Sequence, residues 1–189
     1  MSGKESGDRP VQLDVGPSAT LARPSADGFV DLLREHDGAL RALVYRMVGD
    51  RGVMDDVLQD TYLKAYQALP SFRGEAALGT WLYRIAYHAC CDELRRAGRW
   101  RPLPLDDAAD ERDPAPDPAD TVALRGDLAA ALDALPHEQR AAVLLVDLNG
   151  LDYAAAAAVL GVAPGTVGSR VSRARATLRR TLRPTGEST

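Results

Sequence analysis

The chain has 189 residues, 46% of them hydrophobic and 5% aromatic, with a formal net charge of −4 at pH 7. That is apolar material for one or two small domains, and no run of about eighteen apolar residues is present to cross a membrane. The two cysteines, Cys90 and Cys91, are neighbours and the three histidines sit in separate segments, so neither a disulfide framework nor a metal site or other cofactor is expected; the thiols read as small buried groups on a helix.

Residues 1–26 are polar and rich in Gly, Ser and Pro, without the apolar centre of a secretory signal. They read as a flexible tail, and the chain as cytoplasmic. Residues 27–101 carry three helical patterns. Phe29, Leu32, Leu33, Leu40, Leu43, Val44 and Met47 recur at helical spacing up to Gly49. Val53, Val57, Leu58, Tyr62, Ala65 and Leu69 mark a second helix that stops at Pro70. Trp81, Leu82, Ile85, Ala86, Ala89, Cys90 and Leu94 mark a third, for which Thr80 is the expected N-cap. In the loop between the second and third, Gly74 and Gly79 are expected to permit turns.

Residues 102–120 hold five prolines and an acidic run, a composition that cannot form a core and reads as a linker. Fully extended, roughly twenty residues reach about 65 Å, enough for the two flanking domains to hold separate stretches of one DNA. Residues 121–183 add helices over 121–135 and 136–148, the latter ending at Asn149-Gly150, then a short helix over 152–160 and a long one from Pro164. Residues 184–189 read as a second tail. No strand-like alternation occurs, so the expected fold is all-α: two small helical domains joined by an acidic, Pro-rich linker.

The last two helices carry the first chemical signal. Asp152 is the expected N-cap and Gly161 the stop. Five alanines, Ala154 to Ala158, are strong helix formers and permit tight packing. Pro164 suits a first helical turn. Val167, Val171, Ala174, Leu178 and Leu182 form one apolar stripe, with Thr166, Ser169, Arg170, Arg173 and Arg180 on the other side. Six arginines and no acid fall between Arg170 and Arg183. A merely solvated face normally mixes signs; this one reads as a helix-turn-helix whose second helix enters the major groove. The overall acidity does not conflict, because residues 102–125 alone carry seven acids against two bases while 126–189 carry seven bases against six acids. Local charge, not the total, governs phosphate contact.

Asp55-Asp-Val-Leu-Gln-Asp-Thr-Tyr-Leu-Lys-Ala-Tyr66, Phe72-Arg-Gly-Glu, Thr80-Trp-Leu-Tyr-Arg-Ile-Ala86 and Asp92-Glu-Leu-Arg-Arg96 resemble conserved region 2 of bacterial sigma factors. Leu135-Pro-His-Glu-Gln-Arg-Ala-Ala-Val-Leu-Leu145 and Gly165-Thr-Val-Gly-Ser-Arg-Val-Ser-Arg-Ala-Arg175 resemble region 4. Regions 1 and 3 are not evident, a layout similar to the extracytoplasmic function (ECF) group of the sigma-70 family. The resemblance implies a non-enzymatic subunit with no catalytic residues. It would bind core RNA polymerase at the clamp helices of the largest subunit and at the flap region, direct initiation at promoter DNA, and answer to an anti-sigma factor.

Residue by residue, the resemblance implies that Asp55, Asp56, Gln59 and Asp60 dock on the clamp helices, a mixed acidic and apolar face suited to a basic coiled coil. Phe72, Arg73, Arg84, Tyr87, His88, Arg95 and Arg96 would meet the minus-10 element, where aromatics and arginines suit unstacked bases and their phosphates. Trp81 is expected to be mainly core. His88 stands where relatives commonly carry Asn, which changes the geometry available for reading a flipped base. Thr166, Ser169, Arg170, Arg173 and Arg175 would meet the minus-35 element, Arg173 as a bidentate reader of guanine and Arg175 nearer the apolar edge. Gly168 and Ser172 stand where relatives often carry larger residues, so few direct base contacts are expected. For Asp106, Asp107, Asp110, Glu111 and Asp113 a plain tether and a nucleic-acid mimic in the polymerase cleft both remain open. A free-standing helix-turn-helix regulator is the alternative function; it accounts for the last two helices but not for the Asp55 to Arg96 block.

Overall fold

The computed structural model describes residues 26–74, 76–100 and 124–182. The expected tails and the acidic linker lie outside the described residues, among which there are helices and turns but no strand. The N-terminal domain is α1 (Ala26–Val48), α2 (Arg51–Ala68) and α3 (Leu78–Arg96). Gly49, at φ +76°, ends α1, and Asp50 starts α2 at once, its carboxylate accepting the Val53 amide at 2.9 Å. Pro70 closes α2 through a 3-10 turn, Leu69–Ser71.

Two local expectations fail at the start of α3. The helix begins at Leu78 with Ala77 as its cap, and Thr80 lies buried inside it. Gly79 makes no turn: a Cβ there would stand 2.8 Å from the His36 ring of α1, so the missing side chain admits the imidazole. Tertiary packing between α1 and α3, rather than a local cap, sets this end. Gly74 does take a positive φ, +71°.

The C-terminal domain is α4 (Leu124–Ala134), α5 (His137–Val143), α6 (Tyr153–Leu160) and α7 (Pro164–Leu182). The helix expected over 136–148 is not uniform, for Leu144–Leu148 widens into a π segment. Asp152 caps α6, accepting the Ala155 amide at 2.7 Å, and Gly161 ends it in the left-handed region at φ +67°. Val167, Val171 and Ala174 are fully buried and anchor α7, while Leu178 packs against the core from its edge.

One contiguous apolar core runs through both domains. It is continuous because α6 packs against α3 on one side and α7 on the other. Ala156 and Ala157 are buried there, which is the use of the alanine run: a helix flanked by two others needs small side chains on both faces. The linker is long enough to hold the domains apart, yet in this structure they touch.

Asp152→Ala removes the α6 cap and is expected to cost about 1 kcal/mol, lowering the melting temperature by about 2–4 °C for a chain of this size. An unchanged melting temperature would show that the carboxylate does not hold the helix start.

Candidate polymerase and nucleic-acid interfaces

Along α2, Val57, Leu58, Thr61 and Ala65 are buried, and the Thr61 hydroxyl donates to the Val57 carbonyl at 2.7 Å. The spacing of one and four residues therefore turns Asp55, Asp56 and Gln59 outward, with Asp60 half-buried beside them. Leu63 and Tyr66, 54% and 58% exposed, extend this strip with apolar surface. Two of the acids, Asp55 and Asp60, are held by cations. Asp55 accepts from Arg41 at 3.0 Å, and Arg41 also holds Asp37 at 2.9 Å. Asp37 takes the Tyr62 hydroxyl at 2.6 Å, a hydrogen bond that holds its carboxyl below the usual range. Lys64 pairs with Asp60 at 2.8 Å. Arg41 and Lys64 each stand four residues after one partner, Asp37 and Asp60, a spacing visible in sequence; the Arg41 bond to Asp55 has no such signal.

A second feature lies where α2, its 3-10 turn and α3 meet. Phe72, Arg73, Trp81, Arg84 and Ile85 line an open hollow of about 450 Å³. The Phe72 and Trp81 rings meet at 5.3 Å and 57°, and Trp81 is 8% exposed, so it forms a core wall as expected. Arg73 and Arg84 are exposed at the rim. An aromatic wall with cations beside it suits a base and its phosphate.

The remaining residues expected near minus-10 DNA are dispersed. His88 is exposed, and its Nδ1 donates to the Arg84 carbonyl at 2.8 Å, the tautomer that in a neutral ring leaves Nε2 an acceptor. Arg95 lies over the Trp100 ring at 4.7 Å, and Arg96 is held by Glu93 on its own helix. Tyr87 does not face the hollow; it is 8% exposed and lies inside the core shared by the two domains, where burial raises its hydroxyl pKa. Cys90 and Cys91 are buried free thiols, the latter pushed up to about 11 by burial, which leaves it protonated and inert.

On α7, Thr166, Ser169, Arg170 and Arg173 are all half-buried; Arg170 Nε is buried and the guanidinium lies close enough to Tyr87 to act on its hydroxyl, and the Ser169 hydroxyl donates to the Thr166 carbonyl at 3.0 Å. Arg175 sits on the flank. Its guanidinium forks onto Asp147 of the π segment, Nε at 3.0 Å and Nη2 at 2.6 Å, so its first task is to tie α7 to that segment. Asp147 lies twenty-eight residues away and carries no local signal in sequence. Gly168 is not open space either: a Cβ there would meet the Tyr153 ring at 3.5 Å.

An N-terminal helical domain with an acidic strip and an aromatic hollow, followed by a helix-turn-helix domain, is the arrangement of a transcription initiation factor. The sigma-70 region 2 family matches residues 32–100, and the sigma-70 region 4 family matches residues 125–178. The chain is 42% identical over 154 residues to the ECF RNA polymerase sigma factor SigM of Mycobacterium tuberculosis, covering 82% of this chain and 76% of that protein. It is 34% identical over 164 residues to the ECF RNA polymerase sigma-E factor of Escherichia coli, covering 81% and 85%. Among solved structures, the sigma factor RpoE of Bartonella quintana, in complex with the anti-sigma factor NepR, matches with a TM-score of 0.66 and 32% identity over 84% of this chain and 98% of that one. CnrH in complex with the cytosolic domain of CnrY matches at 0.65 and 27% identity, over 86% and 92%. The chain belongs to the ECF sigma factors of the sigma-70 family and is an RNA polymerase sigma factor. Among the described residues no single helix is long and apolar enough to cross a membrane.

The Asp147 pairing ties the Arg175 guanidinium to the π segment. In a holoenzyme, Arg173→Ala is expected to flatten the salt dependence of promoter binding by about 0.9 in log–log slope, the loss of one phosphate or base-edge cation, and Arg175→Ala by clearly less. Equal effects would show that Arg175 leaves Asp147 for DNA.

Proposed function

We propose that the chain binds core RNA polymerase through the α2 strip, opens the minus-10 element with the α3 side of region 2, and reads the minus-35 element as duplex with α7. The separation of three chemically distinct surfaces carries this reading. The strip of Asp55, Asp56, Gln59 and Asp60 is acidic with apolar ends, which suits the basic clamp helices of the largest subunit. The hollow of Phe72, Arg73 and Arg84 is aromatic and cationic, which suits a base extruded from the stack. The outer side of α7 offers Thr166, Ser169, Arg170 and Arg173 to a groove. Region 4 would also meet the flap region, and the protein would work in the cytoplasm beside the polymerase, without an enzymatic step of its own.

His88 would present a single acceptor, Nε2, to minus-10 DNA, where an Asn side chain presents both an acceptor and donors. That difference favours a base offering a donor at the corresponding position. Arg95 and Arg96, held at the end of α3, are suited to phosphates rather than base edges. An anti-sigma factor is the regulatory partner this reading expects, since a sigma factor of similar structure is found in complex with one.

Charge reversal at the strip is the direct test. Asp56→Arg or Asp60→Arg is expected to weaken core binding at least tenfold by titration, with an unchanged circular-dichroism spectrum; unaltered binding would remove the strip from the interface. Arg173→Ala should relax selection at one upstream base pair by about 1–3 kcal/mol, read by competition between promoter variants, and an unaltered preference would assign Arg173 to phosphate only.

A further inference from the structure

A chain of polar side chains crosses the α1–α2 hairpin and ends in the acidic strip. It starts at Tyr62 on α2, whose hydroxyl donates to Asp37 Oδ1 on α1 at 2.6 Å. The other oxygen of Asp37 accepts from Arg41 Nε, one turn further along α1, at 2.9 Å. Arg41 Nη1 then crosses back to α2 and donates to Asp55 Oδ1 at 3.0 Å. The chain leaves α2 at Tyr62 and returns to it at Asp55, about two turns nearer the helix start.

The order of these links matters. An exposed arginine–carboxylate pair contributes little by itself, because two long side chains must be held in one geometry against solvent. Here the ordering is done in stages. Tyr62 is half-buried, and its hydroxyl holds the Asp37 carboxyl below the usual carboxylate range, so Asp37 is ionised at neutral pH. Asp37 in turn fixes one edge of the Arg41 guanidinium. The group is a rigid planar fork, so fixing Nε also sets the direction of Nη1. Asp55 therefore meets a cation that is already in place.

The charges do not cancel at the strip. Asp37 has both oxygens engaged within the hairpin, whereas Asp55 has only Oδ1 engaged and its side chain is 66% exposed. One cation between two carboxylates leaves one net negative charge, and Asp55 is the member that carries it outward. A cation at the edge of a surface meant for a basic partner would oppose docking unless it served the acids beside it, and Arg41 touches two of them.

We propose that Arg41 is a positioning residue for polymerase binding: aimed by Asp37 and Tyr62, it holds the Asp55 carboxylate in the orientation that meets a cation of the polymerase. This rests on the α2 strip as the polymerase-binding surface. The gain is preorganisation, since a side chain already ordered has less freedom to lose on association. It also makes α1 a working part of the interface, through a residue that acts by way of its neighbour.

The test is titration of the full chain with purified core polymerase. Arg41→Met should weaken binding several-fold. Tyr62→Phe, which keeps every charge of the network, should weaken it less and in the same direction, and both variants should keep the circular-dichroism spectrum of the parent. In an Asp55→Ala background, itself weaker than the parent, neither substitution should cause further loss; a merely structural role would not depend on Asp55. Equal losses with and without the Asp55 carboxylate, or tighter binding by Arg41→Met, overturn the positioning role. Asp56→Arg separates this role from the strip itself. Weakened binding by Asp56→Arg with no effect of Arg41→Met overturns the positioning alone. Asp56→Arg, Asp55→Ala and Arg41→Met all without effect overturn the strip, and the proposal with it.

Discussion

The double contact of α6, with α3 on one side and α7 on the other, is the constraint on which the rest of this structure depends. It requires a helix with almost no side-chain bulk, and Tyr153–Leu160 supplies one from the alanine run. Because α6 belongs to region 4 and α3 to region 2, the same packing that orders the helix-turn-helix also ties it to the other domain. Apolar burial drives that contact, but its specificity is polar. Asn149 and Arg140 satisfy backbone and hydroxyl groups of the other domain that an aliphatic pair of equal volume would leave unmet.

Charge is divided among surfaces in the same economical way. Of the acids of α2, Asp55 is paired with Arg41 and Asp60 with Lys64. Exposed pairs of this kind contribute little to stability. On α7 the arginines are not equivalent. Arg175 is engaged by Asp147, whereas Arg170 lies toward the domain seam. The net acidity of the chain is therefore compatible with DNA binding, because the cations that matter are few and local.

Much of this was legible in residue order and some of it was not. Periodicity located α1, α2, α3 and α7, and the Asp152, Gly161 and Pro164 signals fall where local backbone chemistry demands them. Thr80 misled because the start of α3 is set by the seat of His36 over Gly79, a contact between helices that no local cap reveals. The widening at Leu144–Leu148 has no composition of its own. Asn149 is expected only to end a helix, and Arg140 has no role of its own in sequence; both act across about a hundred residues of sequence, on partners 110 and 94 positions away. Long-range polar contacts leave no periodic trace, so the closed arrangement became readable only from the three-dimensional structure.

Under the proposed function, two DNA-reading surfaces of one chain become useful only through the polymerase that separates them. Selection from a random double-stranded promoter library, with and without purified core polymerase, tests it most directly. The account predicts two enriched sequence blocks at a fixed spacing when core is present and no paired enrichment with the chain alone. Recovery of the same paired blocks by the chain alone, or of a single block with core, would contradict it.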